Sequence, residues 1–409
     1  MTKLKLTLPA AVATLSSTDP ASSFAADARM THICTRKLRL FLRVLLLVWA
    51  AGSASVLGSS KTLAQNAYIT NNDSNSVSVI NTATNTVIAT IAIGYGPLGV
   101  SVSPDGGRVY IGSAGINTVG VIETATNTVI ATIPSGPTAG IATSQDGRRV
   151  YAANFYDQTL SVIDTKTNTV IATVPGVGVS PFGLAVANGK VYVANWTSPF
   201  TVTVVDTATN KVIATIPIAS DSNAPGLAAS PDGRRVYVTN EIGTDVPIID
   251  TATDTVIGAL PLGSSESAMV SPDGTIVYIA GGNHVNGIDV ATDQIVVSSD
   301  YVGGLFGISV TPDGSRVYAA AYAANAVFAI DTTRGKIIAT IPVGSNPLAF
   351  GNFIQPRPTF AGIPGTANCY GQSVSALAKQ YGGLNNAAAA LGYPSVSALQ
   401  NAIEAYCEA

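Results

Sequence analysis

The chain has 409 residues, 47% of them apolar and only 11% charged, with a net charge of −3. That composition excludes a disordered chain and argues against an ordinary basic nucleic-acid binder. The length exceeds one typical domain, but a large closed β architecture can use most of it.

The N-terminus reads as a targeting segment. Arg36, Lys37, Arg39 and Arg43 precede an apolar run at 44–58, and Thr62 with Ala64 forms a small-x-Ala site. A secretory signal cut after Ala64 fits this pattern, with Met30 as a possible true start. The competing reading is an uncleaved anchor, yet the run of 15 residues falls short of the roughly 20 that span a bilayer. Removing 1–64 leaves a body of net charge −9, expected in the periplasm or outside the cell with no membrane span. Cys34 leaves with the signal. Cys369 and Cys407 are then expected to form one disulfide in an oxidising compartment.

From residue 68 the sequence repeats. Tyrosines 68, 110, 151, 192, 237, 278 and 318 each lead a short apolar strand, at spacings of 42, 41, 41, 45, 41 and 40 residues. Each is followed by a "SVSVI"-like strand, a "TVIATI"-like strand and a Gly-led run such as "PLGVSVS" at 97–103. β-Branching and alternation favour strand over helix throughout. "SPDG" turns at 103–106, 230–233 and 271–274 and "DTATN"-type hairpins supply the corners. Seven units of four strands predict an all-β, seven-bladed β-propeller over 65–356. Its last Gly-led strand, within 346–354, is expected to complete the blade begun by the first tyrosine strand, closing the ring. The Val, Ile and Ala of the repeat are expected to pack blade on blade.

Tyr237-Val238-Thr239-Asn240, with the "SPDGxRVY" and "VIDTATNTVIATI" segments, resembles the YVTN-repeat propeller family over 67–356. The resemblance implies the propeller fold and a bacterial exported or archaeal surface-layer setting. Relatives of that kind include nucleic-acid binders, lactonases and a d1-haem-binding domain, so activity does not follow from the fold.

Function is expected where the repeats disagree. The "SPDG" and "TATN" turns fall on one monotonous face, which gathers the lysines and arginines; Arg108–Asp105 and Arg235–Asp232 are expected there as exposed local pairs. The loops after the tyrosine strands and before the Gly-led strands vary, and share the other face. They carry Asp73, Asp157, Asp221, Glu241, Asp245, Glu266 and Asp300, with Phe155, Tyr156, Trp196, Phe200, Tyr301 and Tyr322 nearby. An acidic rim with exposed aromatics suits a cation, a sugar or a basic peptide better than a phosphate polymer. His284, the one histidine after residue 64, joins the candidate ligand-binding set of Asp73, Phe155, Tyr156, Asp157, Trp196, Glu241, Asp245, His284, Tyr301 and Tyr322.

The leading expectation is therefore a monomeric, non-catalytic binding scaffold for a ligand or protein partner, with no cofactor predicted. A lactonase-like hydrolase is the alternative. It would hold a divalent cation such as calcium among Asp73, Asn154, Asn195, Asn240 and Glu241, although the asparagines are better explained as strand-end caps. Nucleic-acid binding through the basic turn face is a lesser alternative. A single histidine rules out a His-rich zinc site.

After residue 356 the composition turns Ala- and Leu-rich at helical spacing. "SVSAL" at 373 and 395 offers two Ser N-caps, for two like helices with a short one between, within a tail spanning 357–409.

Overall fold

The structure is a computed structural model and describes residues 65–218, 225–281, 283–356, 367–391, 393 and 395–408. The signal-segment reading of 1–64 and the acid Asp221 lie outside the described residues. Seven antiparallel sheets form a seven-bladed β-propeller. Six are contiguous four-stranded blades. In five of them the inner strand carries or directly follows a glycine, and blade six has Ser267 in its place. In blade four, for example, the strands Pro181–Ala187, Lys190–Asn195, Thr201–Asp206 and Lys211–Pro217 run from the channel outward.

Blade one is sealed by both ends of the propeller chain. Its strand Asn66–Asn71 pairs antiparallel with the C-terminal segment through Ala67–Ile354 and Asn71–Pro347. Tyr68 N donates to Phe353 O and Leu348 N to Thr70 O. The closure expected from the repeat phase is therefore present.

Glycine recurs in the inner strands because neighbouring blades approach closely there. A Cβ on Gly183 would stand 2.7 Å from Pro225 O, and one on Gly226 would stand 3.0 Å from Glu266 O, each just ahead of the next blade's inner strand. No side chain larger than hydrogen fits such a contact without backbone movement.

The outer strands correct one expectation. In every blade the register of the third with the fourth strand slips by one residue, as between Val79–Ala89 and Ile80–Val87, leaving Ile88 as an unpaired bulge. Ile130, Ile171, Ile213, Ile257, Val296 and Ile338 occupy the same place. These seven side chains are 44–56% exposed, not packed between blades. The "TVIAT" repeat thus encodes a bulge, which bends each free edge and spoils it as a template for further strand pairing. Only the later apolar residue of the strand, such as Ile91, Ile133 or Ile216, is buried.

Tyrosine and turn lock the blades together. Tyr68 of blade one donates its hydroxyl to Asn127 Oδ1 in the hairpin of blade two, at 3.0 Å. Tyr192 of blade four reaches Asp254 Oδ1 of blade five at 2.7 Å, and Tyr318 of blade seven reaches Asn85 Oδ1 of blade one at 2.5 Å. Two residues before the tyrosine, a basic side chain makes a parallel contact. Arg108 donates to Thr165 O, Arg149 to Thr207 O, Lys190 to Thr251 O and Arg316 to Thr82 O, each on the following blade.

The tail forms three helices, α1 (Cys369–Tyr381), α2 (Leu384–Ala390) and α3 (Val396–Glu408). Ser395 caps α3, its Oγ accepting from Ala398 N. Ser373 does not cap a helix: α1 starts earlier, at the cysteine, and Ser373 is buried within it. Cys369 and Cys407 are disulfide-bonded, with their Cα atoms 5.6 Å apart. The module docks on the turn face at blade two. Tyr381 donates to Asp105 O, and Ala125 packs against its apolar core. No helix among the described residues is long and apolar enough to cross a membrane.

Candidate functional site

On the variable face, the channel mouth is built from two concentric sets of equivalent positions. The inner set is one register position of the inner strands: Leu98, Ala139, Phe182, Pro225, Glu266, Phe306 and Leu348, followed by glycine in five blades, by Ser267 in blade six and by Ala349 in the closing strand. The outer set lies four residues after each leading tyrosine. It includes Phe155, Trp196, Glu241 and Tyr322.

Aromatic rings link these sets across the mouth. Phe182 packs edge-on against Phe155 (6.1 Å between centroids), Trp196 (4.6 Å) and Phe350 (4.9 Å). Phe350 continues to Phe306 at 5.1 Å, and Phe306 to Tyr322 at 5.4 Å. Tyr156 extends the chain at its far end, 5.1 Å from Phe155 and 74% exposed. Beneath this layer a channel cavity of about 270 Å³ is lined largely by small residues, including Gly140, Gly183, Ala185 and Ala268.

Phe182, Phe306 and Phe350 were not among the expected site residues. The signal was available: three Gly-led runs carry Phe-Gly, at 182–183, 306–307 and 350–351. Reading those runs only as channel-lining strands hid the bulky residue before the glycine.

Glu266 is the one charged member of the inner set. It is half-buried, and its Oε2 is shielded from solvent with no hydrogen-bond partner among the described residues. Burial first, and the nearby charge of Glu241 second, push its carboxyl up to about 7.

The other expected residues are dispersed. Asp73 is exposed in the first hairpin and accepts from Asn346 Nδ2 at 3.3 Å. Asp157 is exposed beside Tyr156, and Asp245 is half-buried at the start of a blade-five strand. His284 belongs to the flank of blade six, not to the aromatic chain. Its Nδ1 lies 2.9 Å from Ser299 O, its ring is edge-on to Tyr301 at 6.0 Å, and it lines a separate pocket of about 160 Å³. Asp300 is not part of an unopposed acidic rim. Lys336, from the next blade's turn-face hairpin, pairs with it at 2.6 Å and holds its carboxyl below the usual range.

The asparagines assigned to a possible cation site are turned into the blades. Asn154 Nδ2 donates to Thr159 and Ser161 hydroxyls, and Asn195 Nδ2 to those of Thr201 and Thr203; both residues are buried. Asn240 Oδ1 accepts from Gly243 N. Among the described residues no three His, Cys, Asp or Glu side chains come together as a metal-holding group.

On the turn face four basic side chains, Arg108, Arg149, Lys190 and Arg316, are committed to the seams between blades. Besides the cross-blade donors, the exposed local pairs are Arg148–Asp146 and Arg234–Asp232, both at 3.9 Å. The pairing expected for Arg108 and Arg235 thus falls on Arg148 and Arg234, the residues next to the turn glycine, while Arg108 reaches across to blade three.

No family model matches the chain, and no curated protein does. Among solved structures it is similar to a hydrazine synthase of Kuenenia stuttgartiensis, with a TM-score of 0.59 and 22% identity over 65% of this chain and 92% of that one. It is similar also to a functionally unknown protein of Desulfotomaculum acetoxidans DSM 771, with a TM-score of 0.59 and 17% identity over 70% of this chain and 99% of that one. At such identities the likeness shows the fold.

Proposed function

We propose that the protein is an exported binding scaffold that recognises a ligand or protein partner through the mouth of its variable face. One observation carries this reading. The repeats keep their packing and turn residues almost constant, yet at two equivalent mouth positions they diverge into Phe182, Phe306, Phe155, Trp196 and Tyr322 on some blades and Glu266 and Glu241 on others. Large rings at a channel mouth, those of Phe155, Trp196, Phe306 and Tyr322 partly open to solvent around a buried Phe182, give contact area at small entropic cost. The opposite face offers less, because four of its basic residues brace the seams and the helical tail covers part of it at blade two.

The test is a thermal-shift panel on the full chain with n-butylammonium, methyl glucoside, Ca²⁺ and a short DNA duplex, repeated on Trp196→Ala and Arg234→Ala. A saturable rise in Tm lost in Trp196→Ala and kept in Arg234→Ala supports the mouth. A rise lost only in Arg234→Ala, or one indifferent to Trp196→Ala, overturns it.

A further inference from the structure

The mouth is divided chemically. Phe182 and Trp196 of blade four and Phe306 and Tyr322 of blade seven are joined through Phe350 on one side of the ring. Blades five and six, which lie between, put Glu241 and Glu266 at the positions where those neighbours carry rings.

Glu266 Oε2 is the telling atom: shielded from solvent, without a hydrogen-bond donor among the described residues, and in a ring of otherwise apolar side chains. A carboxylate so placed is under-solvated, and a cationic donor is the group that relieves it. The flanking rings favour the same charge through their negative faces, and they favour an organic cation over a strongly hydrated one. An anion is disfavoured, since neither set of mouth positions includes a lysine or arginine.

We infer that the mouth binds an alkylammonium group, with Glu266 as its charge partner and the rings of Phe182, Trp196, Phe306 and Tyr322 as its apolar walls. This rests on the reading of the variable face as the binding face, and adds the chemistry of what it takes. The group can come from a free amine or from a lysine side chain presented by a partner; the recognising chemistry is the same.

The experiment is calorimetric titration of the full chain at pH 8 with n-butylammonium, with the neutral isostere n-butanol, with a lysine-centred blocked tripeptide and with methyl glucoside. n-Butylammonium is expected to bind at least tenfold more tightly than n-butanol. Glu266→Gln, which keeps shape and removes charge, should lower that affinity tenfold or more while its Tm stays at or above that of the parent. A tripeptide that binds more tightly than the free amine supports the inference with a protein partner as the source; one that binds no more tightly supports it with a free amine. Equal affinity for butanol, or affinity unchanged by Glu266→Gln, overturns the inference. If only methyl glucoside binds, and Trp196→Ala abolishes that, the cation inference fails while the binding face stands. If no probe binds in a way Trp196→Ala affects, both fail.

Discussion

The Tyr318 hydroxyl donates to Asn85 Oδ1 at 2.5 Å, across the seam where the last blade meets the first. Both residues belong to the repeated motif, one leading a tyrosine strand and the other ending a "TATN" hairpin. The sameness of the repeat thus serves the ring: at the seams of Tyr68, Tyr192 and Tyr318 the following blade's hairpin offers the acceptor that the tyrosine uses.

Tyr318→Phe should therefore cost about 1–2 kcal/mol in urea unfolding, since it removes the donor shared by the half-buried Asn85 Oδ1 and the buried Thr82 O. Tyr237→Phe is the internal control. Its hydroxyl is buried with no hydrogen-bond partner among the described residues, at the seam where blade six has Val290 in place of the hairpin threonine. That substitution should be neutral or slightly stabilising. Equal losses at the two sites would show that the cross-blade bond contributes nothing.

Glu266 makes stability depend on pH. Its folded-state pKa, about 7, lies above its ordinary 4.5, so between those values the folded state holds more proton than the unfolded state. Stability must then fall as pH rises from 4.5 to 7, and Glu266→Gln should remove that part of the slope. The variant is expected to match the parent near pH 4.5 and to exceed it at pH 8 in paired urea melts. A variant less stable than the parent at pH 8 would mean that the ionised carboxylate has a favourable partner.

Phe182 touches three other rings and is 7% exposed. Phe182→Ala should cost about 3–4 kcal/mol and disturb the mouth as a whole. Trp196→Ala, at the edge of the cluster, should cost distinctly less. That ordering, read from equilibrium unfolding, checks whether Phe182 is the hub of the cluster.

The Cys369–Cys407 bond closes a 38-residue separation around three short helices, worth roughly 3–4 kcal/mol to the module in the chain-entropy view. Reduction should expose 367–408 to limited proteolysis while 65–356 stays resistant. Joint loss of both regions would indicate that the docked tail holds the propeller together.

Export makes a direct claim about the N-terminus. The mature protein should begin at Gln65, as mass spectrometry of material from the expressing cell's envelope or medium would show. Intact 1–64 on membrane-bound protein would favour the anchor.

The ring was readable in the sequence because its causes are local: a fixed period, turn residues that need particular dihedrals, and glycines where backbones meet. The exposed Ile88 and its six counterparts were misread as packing residues, because a bulge shifts register without leaving a mark in an apolar run. The pairing of Asp300 was not legible because its partner, Lys336, lies 36 residues away on another blade. The mouth was half legible. Phe155, Trp196, Tyr322 and Glu241 stand out at one repeat position, whereas Phe350 reaches the cluster only because the closing strand departs from the regular inner-strand pattern. His284 attracted notice as a lone histidine, yet rarity of type does not place a side chain at the mouth.

The most direct test of the central claim is hydrogen exchange of the full chain with and without saturating n-butylammonium. Protection should concentrate at the mouth ends of the inner strands, near 181–184, 265–268 and 305–308, and in the loops at 155–158 and 241–245. Protection confined to the turns at 103–108 and 230–235, or to the helical tail, would contradict the claim and move the binding surface to the opposite face.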